Sequence, residues 1–432
     1  MMNQHLQALL KQYRPGYALP RPFYRDGDLY EAELDLIWRR GWLFAGVTSQ
    51  IPQTGDYFVY DVDPDSIIIV RREDGSLAAL HNVCRHRGSL VANDPIGHIQ
   101  RFVCPYHQWT YDLSGQLVTS RDMPADLDQA ELCLKPVQLR EMHGLIYISL
   151  ADEPLDFAPA DALMAPMAQP QGFDRARVAH ITDYAVQANW KIVWENNREC
   201  YHCDVNHPQY VRANFDRYDA GQVNVQISAQ MAAATERSRV RWEAQGLMVT
   251  HQQVGLAVFP DADRNIWYAA NRTALVDGYV TESMDGWQVA PLMGDYTDPD
   301  VGTLRLRTLP NFWCHASCDH AVVTRLTPAG QRLTQVRVMW LVDRDATEGQ
   351  DYSLDELLPF WQLTSEQDWL ICERVQRGVD TRAYLVGPLS PTKEYNVDQF
   401  IRWYLRQLSE VSSSFPQVSH SWKTTDTSIA AL

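Results

Sequence analysis

Two short loops constrain this 432-residue chain more than any other feature. Cys84-Arg85-His86 and Cys104-Pro105-Tyr106-His107 place two cysteines and two histidines in the pattern C-x-H, seventeen residues, C-x-x-H. Thiolates prefer soft or borderline metals, and imidazole suits iron or zinc. Structural zinc loops more often pair Cys with Cys and His with His, so the mixed pairs fit zinc poorly, although zinc stays the competing reading. A two-iron, two-sulfur cluster can take both cysteines on one iron and both histidines on the other. Each loop then gives one ligand to each iron. Trp109 and Tyr111 follow directly and read as covers for such a cluster.

The surroundings of these loops read as β. Short apolar runs at Tyr57 to Tyr60, Ile67 to Val70, Leu77 to Val83 and Leu145 to Ile148 are separated by turn sequences, Glu73 to Ser76 and Ser114-Gly115. Before them, Tyr30, Leu34, Ile37 and Trp38 recur near the helical period over residues 29–41, with Asp28 as a candidate cap. Four prolines within residues 151–173 suit a connector with short helical pieces. Beyond it the pattern predicts a helical stretch near 190–206. Strand-like segments follow, including 304–309, 321–326 and 333–342, then helices near 353–377 and 394–409. The expected fold class is α+β: a small all-β domain, then a domain with an antiparallel sheet flanked by helices. The expected units are an N-terminal helical segment (1–44), the β-domain (45–152), a second domain (153–411) and a tail (412–432).

A second constellation lies in Asn189 to Pro208, with His202 and His207 as candidate ligands. Five residues along an ideal helix would set them about 140° apart. Pro208 disfavours helical geometry at His207, so the helix should stop or bend before it and let that ring turn back. Spacing puts Glu195, Glu199 and His202 on one helix face. Two histidines and one carboxylate form a facial triad that leaves iron positions open. The carboxylate is either Glu199 or one from elsewhere. Asp368 is the best external candidate, because it sits mid-helix beside Trp369, Leu370 and Ile371, although an exposed helix carboxylate is the plainer reading of that segment. Cys200-x-x-Cys203 reads more readily as packing cysteines than as a redox pair. His315 and His320 flank a strand-turn-strand point, where alternation should send them apart rather than to one metal.

Together the cluster loops and the run Glu195-Asn196-Asn197-Arg198-Glu199-Cys200-Tyr201-His202-Cys203…His207-Pro208 resemble the oxygenase component of Rieske non-haem iron oxygenases. The resemblance extends to Gln367-Asp368-Trp369 and to Phe400-Ile401-Arg402-Trp403-Tyr404. It implies a helix-grip-like catalytic domain. It implies that Cys84, His86, Cys104 and His107 hold a Rieske [2Fe-2S] cluster, and that His202, His207 and Asp368 hold a mononuclear non-haem Fe(II). Glu199 would link His202 to His107 of a neighbouring copy in a homotrimer. Ring-dihydroxylating members usually have aspartate where Glu199 stands. The glutamate form is similar to the branch acting on quaternary ammonium compounds. For that branch the expected reaction hydroxylates an N-methyl group of glycine betaine or proline betaine with O2, releasing formaldehyde. Electrons would come from a separate NAD(P)H-dependent flavin and iron–sulfur reductase.

Composition agrees and excludes alternatives. Acidic residues outnumber basic ones 54 to 38, for a formal charge of −16, which disfavours nucleic acid and anionic membrane as partners. No apolar run approaches the ~18 residues that suggest a membrane span. Met1 to Tyr13 lacks the pattern of a secretory signal, so a cytoplasmic location is expected.

Overall fold

The computed structural model describes residues 2–124, 128–218, 225–250, 259 and 266–409. Ten strands between residues 43 and 149 form the first β unit: β1 (Leu43–Val47), β2 (Asp56–Val62), β3 (Asp65–Arg71), β4 (Leu77–His81), β5 (Ile96–His98), β6 (Phe102–Val103), β7 (Thr110–Tyr111), β8 (Leu117–Thr119), β9 (Pro136–Met142) and β10 (Leu145–Ser149). Seven pair in the order β1-β10-β9-β4-β3-β2-β5, and β6, β7 and β8 make a separate small sheet. Two hydrophobic faces result. Ile68, Val70 and Leu80 pack under the cysteine loops with Phe102, Trp109 and Tyr111. Ile67, Ile69 and Val137 face the remainder of the molecule and join its main core. That split follows from the period-two alternation of β3.

The second unit is a six-stranded antiparallel sheet in the order β11-β16-β15-β14-β13-β12. Its strands are β11 (Ala176–Val186), β12 (Tyr268–Thr273), β13 (Thr303–Thr308), β14 (Phe312–Ala316), β15 (Ala321–Gly330) and β16 (Leu333–Asp343). The register sets Arg305 opposite His315 and Arg307 opposite Trp313. It also sets Trp313 opposite Thr324 and His315 opposite Val322. Directly paired residues share a sheet face, so these six side chains form one surface. The helices Trp190–Asn197 and Pro359–Asp380 lie over it.

The β unit is sealed onto this sheet. The Phe44 amide donates to Asn311 Oδ1 and Asn311 Nδ2 returns a bond to Phe44 O, both at 2.9 Å. Three further segments meet at Glu33, which is 1% exposed. Its carboxylate accepts from Lys191 Nζ (2.6 Å), Trp190 Nε1 (2.7 Å) and Tyr404 OH (2.5 Å). The N-terminal segment, the helix leading to His202 and the Tyr395–Ser409 helix are thereby locked together.

The α+β class is as expected, and several element bounds differ. The helix placed at 29–41 runs Gly27–Glu33, then widens into a π-turn over Leu34–Trp38. Its cap is Asp26 rather than Asp28, accepting from Leu29 N at 2.9 Å. The stretch 190–206 is two helices, Trp190–Asn197 and Cys203–Asn206. After it comes a 20-residue helix, Val225–Ala244, to which the sequence pattern assigned no element. Its buried stripe is only Met231, Ala234, Ser238 and Trp242, too thin to stand out in the sequence. The 353–377 stretch divides at Pro359 into Leu354–Leu357 and Pro359–Asp380. Residues 412–432 lie outside the described residues.

Candidate active site: two metal-binding constellations

Cys84 and His86 sit after β4, and Cys104 and His107 between β6 and β7. The two loops close identically. Gly88 N donates to Cys84 O and Gln108 N to Cys104 O, each at 3.0 Å. Cys84 N donates to Ser89 O and Cys104 N to Trp109 O, each at 2.8 Å. Each closing residue has positive φ, 77° at Gly88 and 63° at Gln108. A non-glycine held there costs energy and marks a loop over-determined by its surroundings. Repeated turns aimed at one another make a two-sided cradle. Both cysteines are buried, and the His86 and His107 ring centroids lie 4.6 Å apart. Trp109 stacks on His86 at 4.8 Å, and the Tyr111 hydroxyl lies 3.3 Å from Cys84 Sγ. Both aromatics therefore cover the site, as the sequence suggested.

Two observations test the fit of a cluster. His107 Nδ1 is buried without a hydrogen-bond partner. Such a nitrogen costs about 1–3 kcal/mol unless it serves as a ligand. Among the described residues, three or more ligand atoms come within 4.8 Å of one another only at His202/His207/Asp368 and His5/Asp26/Asp28. The Cys84, His86, Cys104 and His107 atoms are thus spread too widely for one zinc ion, and a two-iron cluster suits them.

The second site is built at a helix break. Asn189 caps Trp190–Asn197, accepting from Lys191 N at 3.1 Å. Arg198 leaves helical geometry, Cys203–Asn206 forms one more turn, and His207 lies outside it at φ −126°, ψ 65°. The helix therefore ends before His207, as Pro208 requires. His202 Nε2 and His207 Nε2 lie 3.2 and 2.9 Å from Asp368 Oδ1. Two ligands at right angles on one metal, each about 2.1 Å from it, stand about 3.0 Å apart. Both histidine-to-aspartate distances match that spacing, and the three ligand atoms all lie within 4.8 Å of one another.

Each ring is aimed from behind. His202 Nδ1 donates to Glu199 Oε1 at 2.5 Å, and the same carboxylate accepts from the amides of Tyr201 and His202. His207 Nδ1 donates to Gln367 Oε1 at 2.8 Å, and Gln209 Nε2 donates to that oxygen at 3.0 Å. Both rings thereby present Nε2 to Asp368. Gln367 was missed in the sequence, although its place beside Asp368 is a signal. Burial raises the Asp368 pKa, but bonds from His202 and His207 outweigh it and hold the carboxyl at about 2. Burial lowers that of His202, and Asp368 and Glu199 outweigh it, raising the ring to about 10. The same field that keeps a proton on His202 favours a metal cation in its place.

Glu195 does not share a face with Glu199. The chain turns away at Arg198, and the Glu195 carboxylate accepts from Tyr24 OH at 2.9 and 3.0 Å. Cys200 and Cys203 are joined as a disulfide across a Cα separation of 4.9 Å, rather than merely packed. His315 and His320 do part: His320 Nδ1 lies 2.8 Å from Asp319 Oδ1, and His315 faces the cavity at Asp368.

That cavity is narrow and partly open to solvent. Trp313, His315, Val322 and Thr324 come from the sheet; Asn197 comes from the first helix, and Trp361, Thr364 and Trp369 from the Asp368 helix. It continues into a cleft containing Glu199, His202, His207, Tyr210 and Arg307. No helix among the described residues is long and apolar enough to cross a membrane.

A β unit with a cluster cradle, set on a sheet-and-helix unit with a His-His-Asp site, defines an iron-dependent oxygenase subunit. Comparisons agree. The Rieske [2Fe-2S] domain family model matches residues 41–136, and that of the ring hydroxylating alpha subunit catalytic domain matches 173–410. The chain belongs to this family of Rieske non-haem iron oxygenases, and its cofactors are the [2Fe-2S] cluster and a mononuclear iron. It is 38% identical to the glycine betaine monooxygenase oxygenase subunit of Chromohalobacter salexigens, over 95% of this chain and 90% of that one. Identity to the glycine betaine monooxygenase oxygenase subunit of Pseudomonas aeruginosa PAO1 is 37%, over 96% and 95%. Its fold is similar to the quaternary ammonium Rieske monooxygenase CntA in complex with L-carnitine (TM-score 0.66, 19% identity, 91% and 96% covered). Naphthalene 1,2-dioxygenase from Rhodococcus sp. is comparably similar (TM-score 0.65, 19% identity, 95% and 100% covered). The fold alone therefore does not choose the substrate.

Proposed function

We propose that this chain is the oxygenase component of a system that demethylates a small betaine, glycine betaine or proline betaine, releasing formaldehyde. The observation that carries the substrate class is the wall of the cavity at Asp368. Trp313, Trp361 and Trp369 line it, with Trp313 and Trp369 ring centroids 6.5 Å apart. A quaternary ammonium donates no hydrogen bond, so aromatic faces are what can hold it, at about 0.5–2 kcal/mol each. The names of the 37–38% identical relatives support the same substrate.

Residues 45–152 carry the cluster on Cys84, His86, Cys104 and His107. Residues 153–411 carry the iron on His202, His207 and Asp368. When bound, the cluster supplies electrons and the iron activates dioxygen for hydroxylation of an N-methyl carbon. The protein's own part is positioning. Glu199 and Gln367 fix both histidine tautomers, the tryptophans place the methyl groups, and burial limits water. The hydroxymethyl ammonium product then breaks its C–N bond, giving formaldehyde and the tertiary amine.

Assembly as a homotrimer completes the reading. Tyr106 beside His107 is 57% exposed; Tyr201 and Val205, flanking His202, are 60% and 85% exposed. Apolar side chains uncovered at both sites suit a head-to-tail contact, which closes into a ring. Glu199 would then join His202 to His107 of the next copy. The donor is a separate NAD(P)H-dependent reductase, and the compartment the cytoplasm. Incubation with a generic ferredoxin-type reductase, NADH and glycine betaine should release formaldehyde and dimethylglycine in equal amounts. Hydroxylation of an aromatic acid with no formaldehyde from any betaine would replace this reading with a ring hydroxylase.

A further inference from the structure

Two ring pairs bridge the sheet and the helix Pro359–Asp380 at the tryptophan cavity. Trp313 on β14 meets Trp369 with ring centroids 6.5 Å apart, and His315, two residues along the same strand, meets Trp361 at 4.3 Å. On the strand the step from one pair to the other is about 7 Å. On the helix, Trp361, Thr364, Ser365 and Asp368 recur at three and four residues, so one stripe faces the cavity. Trp361 stands two turns, about 10.5 Å of helix, before Asp368. His315 and Trp361 also line the cleft containing His202 and His207. The pair therefore stands where the aromatic cavity and the proposed iron site adjoin. Both rings are pinned. Arg305 Nε donates to His315 Nδ1 at 3.3 Å, and Arg305 Nη2 is tied to Asn214 Oδ1 at 2.8 Å and Asp216 Oδ2 at 3.1 Å. Trp361 is 7% exposed and packs on Phe360 and Tyr210 at 5.5 and 5.8 Å. One turn on, the Thr364 hydroxyl donates to Phe360 O at 2.7 Å and accepts from Gln209 Nε2 at 2.9 Å. A ring held from several sides does not yield to an oversized ligand without moving its neighbours.

We propose that Trp361, braced on His315, is the wall that limits substrate length, so that the site admits compact betaines and excludes those with two or more further methylenes between ammonium and carboxylate. The assignment rests on the betaine reading above and deepens it. A ligand whose trimethylammonium head lies beside Asp368 and Trp369 sends its chain along Thr364 and Ser365 towards Trp361. Two turns of helix leave room for a short chain only. The bracing matters because a movable indole would set no limit. A single methylene in a closed apolar pocket changes selectivity by about 10–200-fold, so one fixed ring suffices to sort betaines by length.

Two substitutions test the wall. Trp361→Leu shortens the side chain that closes the cavity, and Trp361→Phe keeps an aromatic ring against His315. Iron content and the visible spectrum of the cluster check that each variant is folded and loaded. The wild type should favour glycine betaine over γ-butyrobetaine, which is two methylenes longer, by about tenfold or more in kcat/KM. Trp361→Leu should cut that ratio about tenfold, through a gain with the longer compound, and Trp361→Phe should leave it within about threefold. An unchanged ratio in Trp361→Leu would overturn the assignment. A binding arm works without turnover. Alkyltrimethylammonium ions with chains from methyl to hexyl are titrated by calorimetry into the wild type and Trp361→Leu. The wall predicts that affinity drops beyond a definite chain length in the wild type, and that in the variant the drop comes about two carbons later. The same cut-off in both proteins, or an equal loss for every member as a merely structural role would give, overturns it. If the wild type demethylates no betaine, the functional reading fails and this series still decides the role of Trp361; binding of no member to either protein removes the wall as well.

Discussion

Glu199 holds three hydrogen bonds at once, from the His202 ring and from the amides of Tyr201 and His202. These bonds and its proposed bridging role can be separated. Glu199→Gln keeps an oxygen for the ring and the amides but loses the charge. Both metals should remain bound, and NADH-coupled turnover should fall by about two orders of magnitude or more, read as formaldehyde release against iron content. Normal coupled turnover would remove the bridging role. At this scale the sequence was informative where chemistry forces residue type. Cys84, His86, Cys104 and His107 declared themselves because so few arrangements use that mixture. Asp368 did not, since an aspartate in a helix is ordinary until its partners, 161 residues away at His207, are known. His315 was hidden for a related reason. Strand alternation told that it parts from His320, but not that its face meets Trp361 from another element.

Among the elements, the helix Trp190–Asn197 leads to the proposed iron site, and it carries a titration that stability should register. Burial raises Glu195 from 4.5 to about 8, against the bond from Tyr24 and the charge of Lys191. The folded state therefore holds a proton that the unfolded chain releases near pH 4.5. Between about pH 4.5 and 8 the folded form binds more protons, so this group's contribution to stability falls as pH rises through that window. Glu195→Gln, which keeps an acceptor for Tyr24, should raise the urea midpoint at pH 8 and change it little at pH 4.5. An equal shift at both pH values would show that the side chain is ionised when folded. Proline rules located the helical end before His207, where Cys203–Asn206 stops, because Pro208 acts on the backbone locally. The break at Arg198 carried no such marker, and so the common face assigned to Glu195 and Glu199 was mistaken.

For the whole molecule, the two proposed cofactor sites sit on different β units sealed through Asn311 and Phe44. The α+β plan was legible because the two units have distinct periodicities, short alternating strands first and long helical stripes last. The order β11-β16-β15-β14-β13-β12 was not, since pairing of β11 with β16 spans about 160 residues and depends on no local signal. If the copies meet head to tail, a charge at the 85% exposed Val205 should break the contact. Val205→Glu should shift the sedimentation coefficient from trimer towards monomer and reduce coupled turnover more than tenfold, with iron and cluster content unchanged. A trimer that survives the change with full turnover would place the interface elsewhere.

The central claim is that one polypeptide holds a cluster on two loops and a separate iron on His202, His207 and Asp368. Iron and acid-labile sulfide, quantified together on the purified protein and on Asp368→Ala, test it most directly. The account predicts three irons and two sulfides per chain in the wild type, and two of each in the variant with the visible spectrum of the cluster intact. Loss of sulfide along with iron in the variant, or three irons retained in it, would contradict the account.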